Sequence, residues 1–245
     1  MKSSIVSVLF AGCVALCSVS APAADYVVTT GPAGIYSLLV NKYGVAPVTG
    51  NPFAPIPVPG GQFAQPQPSF IAMDSAGEYL YALYNNSYDE ILWSFRMING
   101  VPYQINSATT SIYKNSVPVA MAVTKHFVFV VRSPWGVYGS LGNMQVFVTT
   151  NGVLSLYDRI DFGSSLGSTW ITFSPTSIQV DPQEWFAYVT YASGPFNPTA
   201  IPQMFGNCYA AQCVAIYSIS GLLSGIQATL WATVPQANGL LVGAQ

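Results

Sequence analysis

PSFIAMDSAGEYLYALYNN, residues 68–86, is the stretch of sequence that decides the fold. A short apolar run is followed by a turn sequence containing Gly77 and then by a longer run of aromatic and aliphatic residues. Apolar runs of this length, bounded by turn-forming residues, are typical of β-strands. The stretch therefore predicts two consecutive antiparallel strands, the first beginning just after Pro68.

The same pattern recurs twice along the chain. It begins again at Pro118 as PVAMAVTKHFVFVVRS and at Pro175 as PTSIQVDPQEWFAYVTYAS. Each unit continues into two further apolar runs, and a period of roughly 50 residues is typical of propeller blades. The repeats predict four-stranded antiparallel blades whose two apolar faces pack against neighbouring blades.

The two ends of the chain each contain part of one further unit. Residues 25–50 have the pattern of the second, third and fourth strands of a blade, and residues 235–245 have the pattern of a first strand. The sequence therefore predicts an all-β propeller of about four blades, in which the C-terminal strand closes the first blade. The alternative is half of a larger ring, completed by a second copy of the chain, because an unclosed ring exposes strand edges. The predicted single domain covers residues 24–245, with units at 25–50 plus 235–245, 68–117, 118–174 and 175–234.

Residues 1–23 have the features of a cleaved secretory signal peptide. Lys2 supplies a positive charge, residues 5–19 are almost entirely apolar, and residues 21–23 are small residues suited to cleavage. We expect a periplasmic or secreted protein, and lipid anchoring through Cys13 is the alternative. No later segment has the length of a transmembrane helix without a charge, a proline or a glycine.

The composition restricts the classes of partner. Only 7% of the residues are charged and the formal net charge is -2. A chain without a basic surface is not expected to bind nucleic acid or an anionic membrane. The expected partner is a carbohydrate or another component of the cell envelope. A closed ring predicts a monomer, whereas a half ring predicts a homodimer.

Two cysteines remain after the predicted signal peptide. Cys208 and Cys213 are close in sequence, and in an oxidising compartment such a pair is expected to form a disulfide. Free thiols are the alternative. A zinc site needs about four ligands, and the only histidine, His126, is far away in sequence, so no metal and no cofactor are predicted.

The candidate binding residues follow the second of the repeated turns. His126 and Arg132 are six residues apart on one predicted strand, so both side chains point to the same face and together could bind an anion or assist a hydrolysis. Trp135 and Tyr138 lie in the loop that follows, and aromatic loops on a rigid scaffold are common binding surfaces. A structural histidine beside a turn is the alternative for His126.

The repeats resemble those of a known family. PTSIQVDPQEWFAYVTYAS at 175–193 with VAIYSIS at 214–220, and YVVTTG at 26–31 with IYSLLVNKYGVAPVTGNPF at 35–53, are similar to the repeats of bacterial lactonase-like β-propellers, which are related to YVTN-type surface-layer repeats. The resemblance covers most of the mature chain and implies a propeller fold. The family includes a phosphogluconolactonase together with many exported proteins. The expected function is an exported, non-enzymatic binding or interaction module, and the alternative is a lactonase-type hydrolase acting on a sugar lactone.

Overall fold

A computed structural model shows an all-β chain. It describes residues 14–16, 25–53, 68–85, 90–109, 116–134, 142–166, 169–172, 174–192, 213–225 and 227–235. Among these residues the strands form four antiparallel sheets. The prediction of four-stranded antiparallel units is confirmed, with one additional strand in the third sheet.

The chain divides into two compact units. The first comprises Met1–Ile112, Lys125–Phe127 and Val148–Leu156, and the second comprises Tyr113–Thr124, Val128–Phe147 and Tyr157–Gln245. No helix in the described ranges has the length and apolar character needed to cross a membrane.

Two sheets belong to the first unit, and their strands follow one another in chain order. An apolar core that includes Ile35 of one sheet and Leu80, Trp93 and Phe95 of the other lies in this unit. The first sheet consists of β1 (Val14–Leu16), β2 (Asp25–Gly31), β3 (Gly34–Asn41) and β4 (Gly44–Pro47), and the second of β5 (Phe70–Met73), β6 (Tyr79–Asn85), β7 (Glu90–Ile98) and β8 (Val101–Thr109).

The other two sheets belong mainly to the second unit. The end of one hairpin of the third sheet, residues 148–156, is assigned to the first unit. The third sheet consists of β9 (Ser116–Val123), β10 (Phe127–Pro134), β11 (Gly142–Thr150), β12 (Val153–Leu166) and β13 (Thr169–Thr172), and the fourth of β14 (Ser174–Val180), β15 (Phe186–Ala192), β16 (Cys213–Ser218) and β17 (Thr229–Pro235).

The edge of the first sheet differs from the sequence-based expectation. β1 pairs with β2, with Val14 opposite Thr29 and Leu16 opposite Val27, at the edge where the C-terminal strand was expected. An open strand edge has unpaired backbone groups, and the apolar β1 segment satisfies them. Residues 236–245 lie outside the described residues, so closure by the C-terminus stays a prediction. Of the predicted signal peptide, β1 is the only part that the structure describes.

Continuous apolar runs become strands that are buried on both faces. Every residue from Leu80 to Tyr84 in β6 and from Phe127 to Arg132 in β10 is buried. In β15 burial alternates instead, since Ala187, Val189 and Tyr191 are buried and the residues between them are half-buried. The two-faced packing that the sequence predicts is therefore complete in β6 and β10, whereas one face of β15 is less covered.

The second, third and fourth sheets each have two unlike ends. At one end the second and third sheets have tight turns, including Asn99-Gly100 and Asn151-Gly152, where both residues have positive φ angles. At the same end of the fourth sheet, β16 and β17 are joined by a longer connection that contains a 3-10 helix, Leu222–Ser224. At the other end, which we call the loop end, the second strand leads into residues 86–89, 135–141 and 193–212 respectively. β12 also extends beyond its neighbour at the loop end, because it has 14 residues and β11 has 9 from the same turn.

One backbone hydrogen bond recurs in these three sheets and fixes a common register. In each sheet an amide of the third strand, or of the residue directly after it, donates to the carbonyl of the residue just before the second strand. Because the bond occupies the same place each time, the sheets can be compared residue by residue. The bonds, each 2.8 Å from N to O, join Met97 to Glu78, Thr149 to His126 and Ile219 to Trp185.

Candidate functional site

The common register shows where the third sheet departs from the other two. From the two residues that the recurring bond joins, we count six residues forward along the second strand and six residues backward along the third. In each sheet this count reaches one pair of positions near the loop end. In the second and fourth sheets a tyrosine lies opposite an apolar residue or a cysteine, namely Tyr84 opposite Ile91 and Tyr191 opposite Cys213. In the third sheet the same count from the Thr149–His126 bond gives an arginine and an asparagine, Arg132 and Asn143.

The Arg132 guanidinium is buried and held by Ser116. Arg132 is only 2% exposed. Its Nε donates to Ser116 Oγ at 3.0 Å, and its Nη2 donates to the Ser116 carbonyl at 2.8 Å. Burial of a guanidinium is unfavourable unless hydrogen bonds compensate, and these two bonds also fix its orientation. The side chain therefore presents a positively charged group in a defined position.

The backbone around Arg132 contains an irregularity that helps to place it. The pairing of β10 with β9 shifts between Val131 and Arg132, so Val131 pairs with Ala120 whereas Arg132 pairs with Pro118. Such β-bulges redirect side chains and are common beside functional sites. Ser116 is the first residue of β9 and pairs with Pro134, so the Ser116–Arg132 contact lies at the loop end.

Two buried amides accompany this contact in β11. Asn143 is fully buried, and within the described part of the protein neither its Nδ2 nor its Oδ1 has a hydrogen-bond partner. Gln145 is also fully buried, and it faces the same side of the sheet because it is two residues further along the strand. A buried polar atom without a partner costs about 1–3 kcal/mol, so the Asn143 amide is an unusual feature of a strand interior. We refer to Ser116, Arg132, Asn143 and Gln145 together as the third-sheet polar site.

The structure does not bring His126 and Arg132 together. His126 precedes β10 at the tight-turn end, half-buried, with its ring edge-on to Phe127 at a centroid distance of 6.4 Å. Arg132 is at the loop end of the same strand, and six residues at about 3.3 Å each place the two roughly 20 Å apart. His126 and Arg132 therefore belong to the same face of the strand, but they are too far apart to form one site.

Other predicted residues lie where the structure gives no side-chain information. Trp135 and Tyr138 follow β10 directly and lie outside the described residues. Cys208 also lies outside them, and Cys213 is described only as the first backbone residue of β16. Their roles in binding and in a disulfide stay predictions.

Sequence reasoning missed Ser116, Asn143 and Gln145. The signal that could have revealed the two amides is present in the repeats, since the positions equivalent to them in β7 are Ile91 and Trp93. An alignment of the third strands, in addition to the first and second, shows amides where the neighbouring repeat has apolar side chains. Without the cross-strand hydrogen bonds, however, that alignment has no fixed register.

Another buried polar pair has a structural role. The hydroxyls of Tyr191 and Tyr217 are 3.0 Å apart, and the Phe162 ring packs edge-on to Tyr191 at 5.3 Å between centroids. Burial raises the pKa of Tyr217 to about 12 and raises that of Tyr191 well above 10.0. Both hydroxyls are therefore neutral near pH 7 and stabilise the packing of the second unit.

The described residues contain no group of three or more His, Cys, Asp or Glu side chains placed to hold a metal ion. The third-sheet polar site consists instead of a hydroxyl, a guanidinium and two amides. Such groups recognise oxygen atoms of a ligand by hydrogen bonding.

The fold was compared with solved structures. A protein from Lactobacillus plantarum has a TM-score of 0.49 at 13% identity over 91% of this chain and 55% of that chain. A "putative 6-phosphogluconolactonase" from Bacteroides fragilis has a TM-score of 0.48 at 14% identity over 91% and 66%. A "putative 6-phosphogluconolactonase" from Bacteroides uniformis has a TM-score of 0.50 at 12% identity over 90% and 57%. The chain has a β-propeller fold. The likeness extends to the fold of lactonase-like propellers and no further, because identities this low carry no information about activity.

This propeller spans 55–66% of the length of the solved chains that it matches. No protein-family model matches it, and no curated protein matches it. The third-sheet polar site must therefore be interpreted from its own chemistry.

Proposed function

We propose that this propeller is a lactonase-type hydrolase that acts on a sugar lactone at the third-sheet polar site. The observation that carries the proposal is the buried Arg132 guanidinium, fixed by Ser116 at the loop end of a sheet whose neighbours have tyrosine at the equivalent position. The class of substrate is taken over from the name of a solved structure of similar fold, a putative 6-phosphogluconolactonase, and is itself part of the proposal.

The chemistry of lactone hydrolysis suits a fixed cation. Water adds to the ring carbonyl carbon, and negative charge develops on the carbonyl oxygen. The ring C–O bond then breaks, the ring oxygen takes up a proton, and the product is a hydroxy acid. A preorganised guanidinium stabilises the developing charge without reorganising, and oriented donors of this kind supply a large part of many enzymes' rate enhancement. Ser116 supplies the orientation, because it accepts hydrogen bonds from two different nitrogens of Arg132.

Binding without turnover is the second candidate, and the position of the carboxylates favours it. Among the described residues of the second unit, Asp181 forms hydrogen bonds within a tight turn, and Asp161 forms an ion pair with Arg159 on β12. Both carboxylates are used in structural contacts, and none of the four residues that define the third-sheet polar site has a side chain that ordinarily serves as a general base. Under this candidate the protein is an exported module that holds a carbohydrate or another cell-envelope component.

Hydrolysis and binding are separated by measuring both. The purified mature chain is mixed with D-glucono-δ-lactone and 6-phosphoglucono-δ-lactone, and acid release is followed with a pH indicator against the spontaneous rate. We expect hydrolysis above the spontaneous rate, and we expect Arg132→Met to remove most of the excess. The matched control is Tyr191→Phe, which changes the equivalent position of the fourth sheet and should retain the activity.

Three outcomes decide between the candidates. A wild-type chain that hydrolyses neither lactone, but binds one of them or its open-chain product in calorimetry, supports the binding module. A chain that neither hydrolyses nor binds them contradicts both candidates at this site. Equal losses in Arg132→Met and Tyr191→Phe would show that the activity depends on packing instead of on the guanidinium.

A further inference from the structure

We propose that the Asn143 amide recognises two adjacent hydroxyl groups of the sugar ring, and that it makes the third-sheet polar site selective for hydroxylated lactones. This inference rests on the proposed function, because it assigns the substrate's hydroxyls to a residue of the same site. It concerns a different side chain from Arg132 and a different part of the substrate from the carbonyl.

The first support is the unsatisfied state of the amide. Asn143 is 0% exposed, and neither Nδ2 nor Oδ1 has a hydrogen-bond partner among the described residues. Buried amides in folded proteins are almost always hydrogen-bonded, so a partner is expected when the protein works. An amide whose donor and acceptor both await a partner is suited to a ligand that supplies an acceptor and a donor side by side.

The second support is the comparison with the other sheets. The equivalent residues are Ile91 in the second sheet and Cys213 in the fourth, so the fold itself does not require an amide at this position. At this buried position one repeat has a polar residue where the other repeats do not, and the polar residue lowers the stability of the fold. Such a position is expected to be functional. Asn143 is the second residue of β11, so it lies at the loop end. Counted from the Thr149–His126 hydrogen bond, it is also the position that corresponds to Arg132 on the neighbouring strand.

The chemistry of the amide distinguishes between classes of ligand. Two neighbouring hydroxyls of a sugar offer an oxygen that accepts from Nδ2–H and an O–H that donates to Oδ1. A carboxylate or a fully ionised phosphate monoester offers acceptors only and leaves Oδ1 without a partner. An unsubstituted lactone ring has no hydroxyl group, so it offers no O–H donor to Oδ1. The vicinal diol is therefore the ligand that satisfies both atoms.

The test compares two substrates that share the six-membered ring ester and differ in their hydroxyls. D-Glucono-δ-lactone is hydroxylated, whereas δ-valerolactone is not. For Asn143→Leu we expect kcat/KM on the hydroxylated lactone to fall about 10- to 100-fold and kcat/KM on δ-valerolactone to change less than about twofold, since a site built for hydroxyls loses discrimination when its partner group is removed. Asn143→Asp retains the shape but has no donor, and it should lose the same preference if the leucine variant does not fold.

Ser37→Ala is the matched control. Ser37 is also fully buried, and its hydroxyl has no partner among the described residues, but it lies on β3 of the first unit. Removing this hydroxyl should leave the ratio of the two kcat/KM values unchanged. An equal change of that ratio in Ser37→Ala and Asn143→Leu would overturn the assignment.

The inference can fail separately from the proposed function. Hydrolysis of both lactones with an unchanged ratio in Asn143→Leu overturns the inference and leaves the hydrolase intact. Absence of hydrolysis in the wild type overturns the hydrolase. The diol assignment is then decided by calorimetry with D-gluconate and 5-hydroxypentanoate. A wild-type preference for D-gluconate that Asn143→Leu abolishes supports it, and no preference or a retained preference overturns it.

Discussion

Two aspartates at equivalent tight turns should respond differently to the same substitution. In the turn before β15, both oxygens of Asp181 are used, because Oδ1 accepts the Gln183 N–H at 2.9 Å and Oδ2 accepts the Trp185 N–H at 2.9 Å and also the Phe186 N–H. In the turn before β6, the hydrogen bonds that Asp74 accepts from Glu78 and Tyr79, at 2.8 and 3.0 Å, both end on Oδ1. An asparagine can reproduce the second arrangement but not the first.

The magnitude follows from counting these bonds. In Asp181→Asn one oxygen becomes an NH2 group that faces backbone N–H donors, so at least one charge-assisted hydrogen bond is lost. Such bonds contribute about 1.5–3 kcal/mol, and partial exposure of the turn reduces this, so we expect a loss of about 1–2 kcal/mol in the free energy of unfolding. For a chain of this size the melting temperature should fall by about 3–6 °C. Asp74→Asn retains its acceptor and should change the free energy of unfolding by less than about 0.5 kcal/mol.

The pH dependence provides an independent check on Asp74. Burial raises the pKa of Asp74 above its ordinary value of 3.8, although hydrogen bonds from Tyr79 and Glu78 oppose the shift. A carboxyl with a raised pKa in the folded state contributes stability below the unfolded pKa, and that contribution is lost as the pH rises through the folded value. Asp74→Asn should therefore remove a decrease in stability that the wild type shows as the pH rises above the ordinary pKa of 3.8. Urea unfolding of both variants at pH 7 and across pH 3–6 measures these effects. Equal destabilisation by the two substitutions would refute the hydrogen-bond argument.

Four further predictions concern packing, titration and assembly. Gly152→Ala should destabilise the protein by about 1–2 kcal/mol more than Gly225→Ala in urea unfolding. The two glycines have similar φ angles of 79° and 81°, but an added Cβ at Gly152 would overlap the side chains of Ile105 and Tyr79, whereas at Gly225 it would lie 3.8 Å from the Tyr157 hydroxyl. Asn106→Ala should cost about 1–2 kcal/mol by the same measurement, because its amide exchanges two hydrogen bonds with the backbone of Leu154; no loss would show that water replaces them. Because burial raises the pKa of Tyr217 to about 12, its contribution to stability should be complete below pH 10.0 and disappear towards pH 12; an ultraviolet titration in which all tyrosines ionise near pH 10 would contradict this. A closed four-blade ring predicts a monomer in size-exclusion chromatography with light scattering, and a dimer would support the half ring.

The sequence predicts the strands well because their signal is local. The run from Leu80 to Tyr84 and the turn at Asn151-Gly152 each contain their own determinants, namely two-faced apolar character and residues that tolerate positive φ. β13 was not predicted, because its short pairing with β12 depends on how far that strand extends beyond β11. β1 was assigned only to the signal peptide, since nothing local indicates that it pairs with β2.

The candidate site was predicted in part for a related reason. Side chains alternate between the two faces of a strand, so the even spacing of His126 and Arg132 predicts that both point to the same face. This prediction needs only the sequence of one strand. Which residues share an end of the sheet depends on hydrogen bonds across strands. These bonds join Ser116 to Arg132 and place His126 beside Thr149, at the other end from Asn143. The sequence therefore predicted His126 as the neighbour of Arg132, whereas the structure places Ser116 beside it, and Asn143 was not among the predicted residues.

The recurring bond between the second and third strands has an evolutionary consequence. Because three sheets keep one register, a repeat that carries Arg132 and Asn143 coexists with repeats that carry tyrosine and apolar residues at the same positions. Duplicated repeats of this kind give a lineage spare copies of its own structural unit. One repeat can accumulate polar substitutions while the other repeats maintain the fold. New binding chemistry can then arise by divergence between repeats of one molecule, without a separate gene duplication.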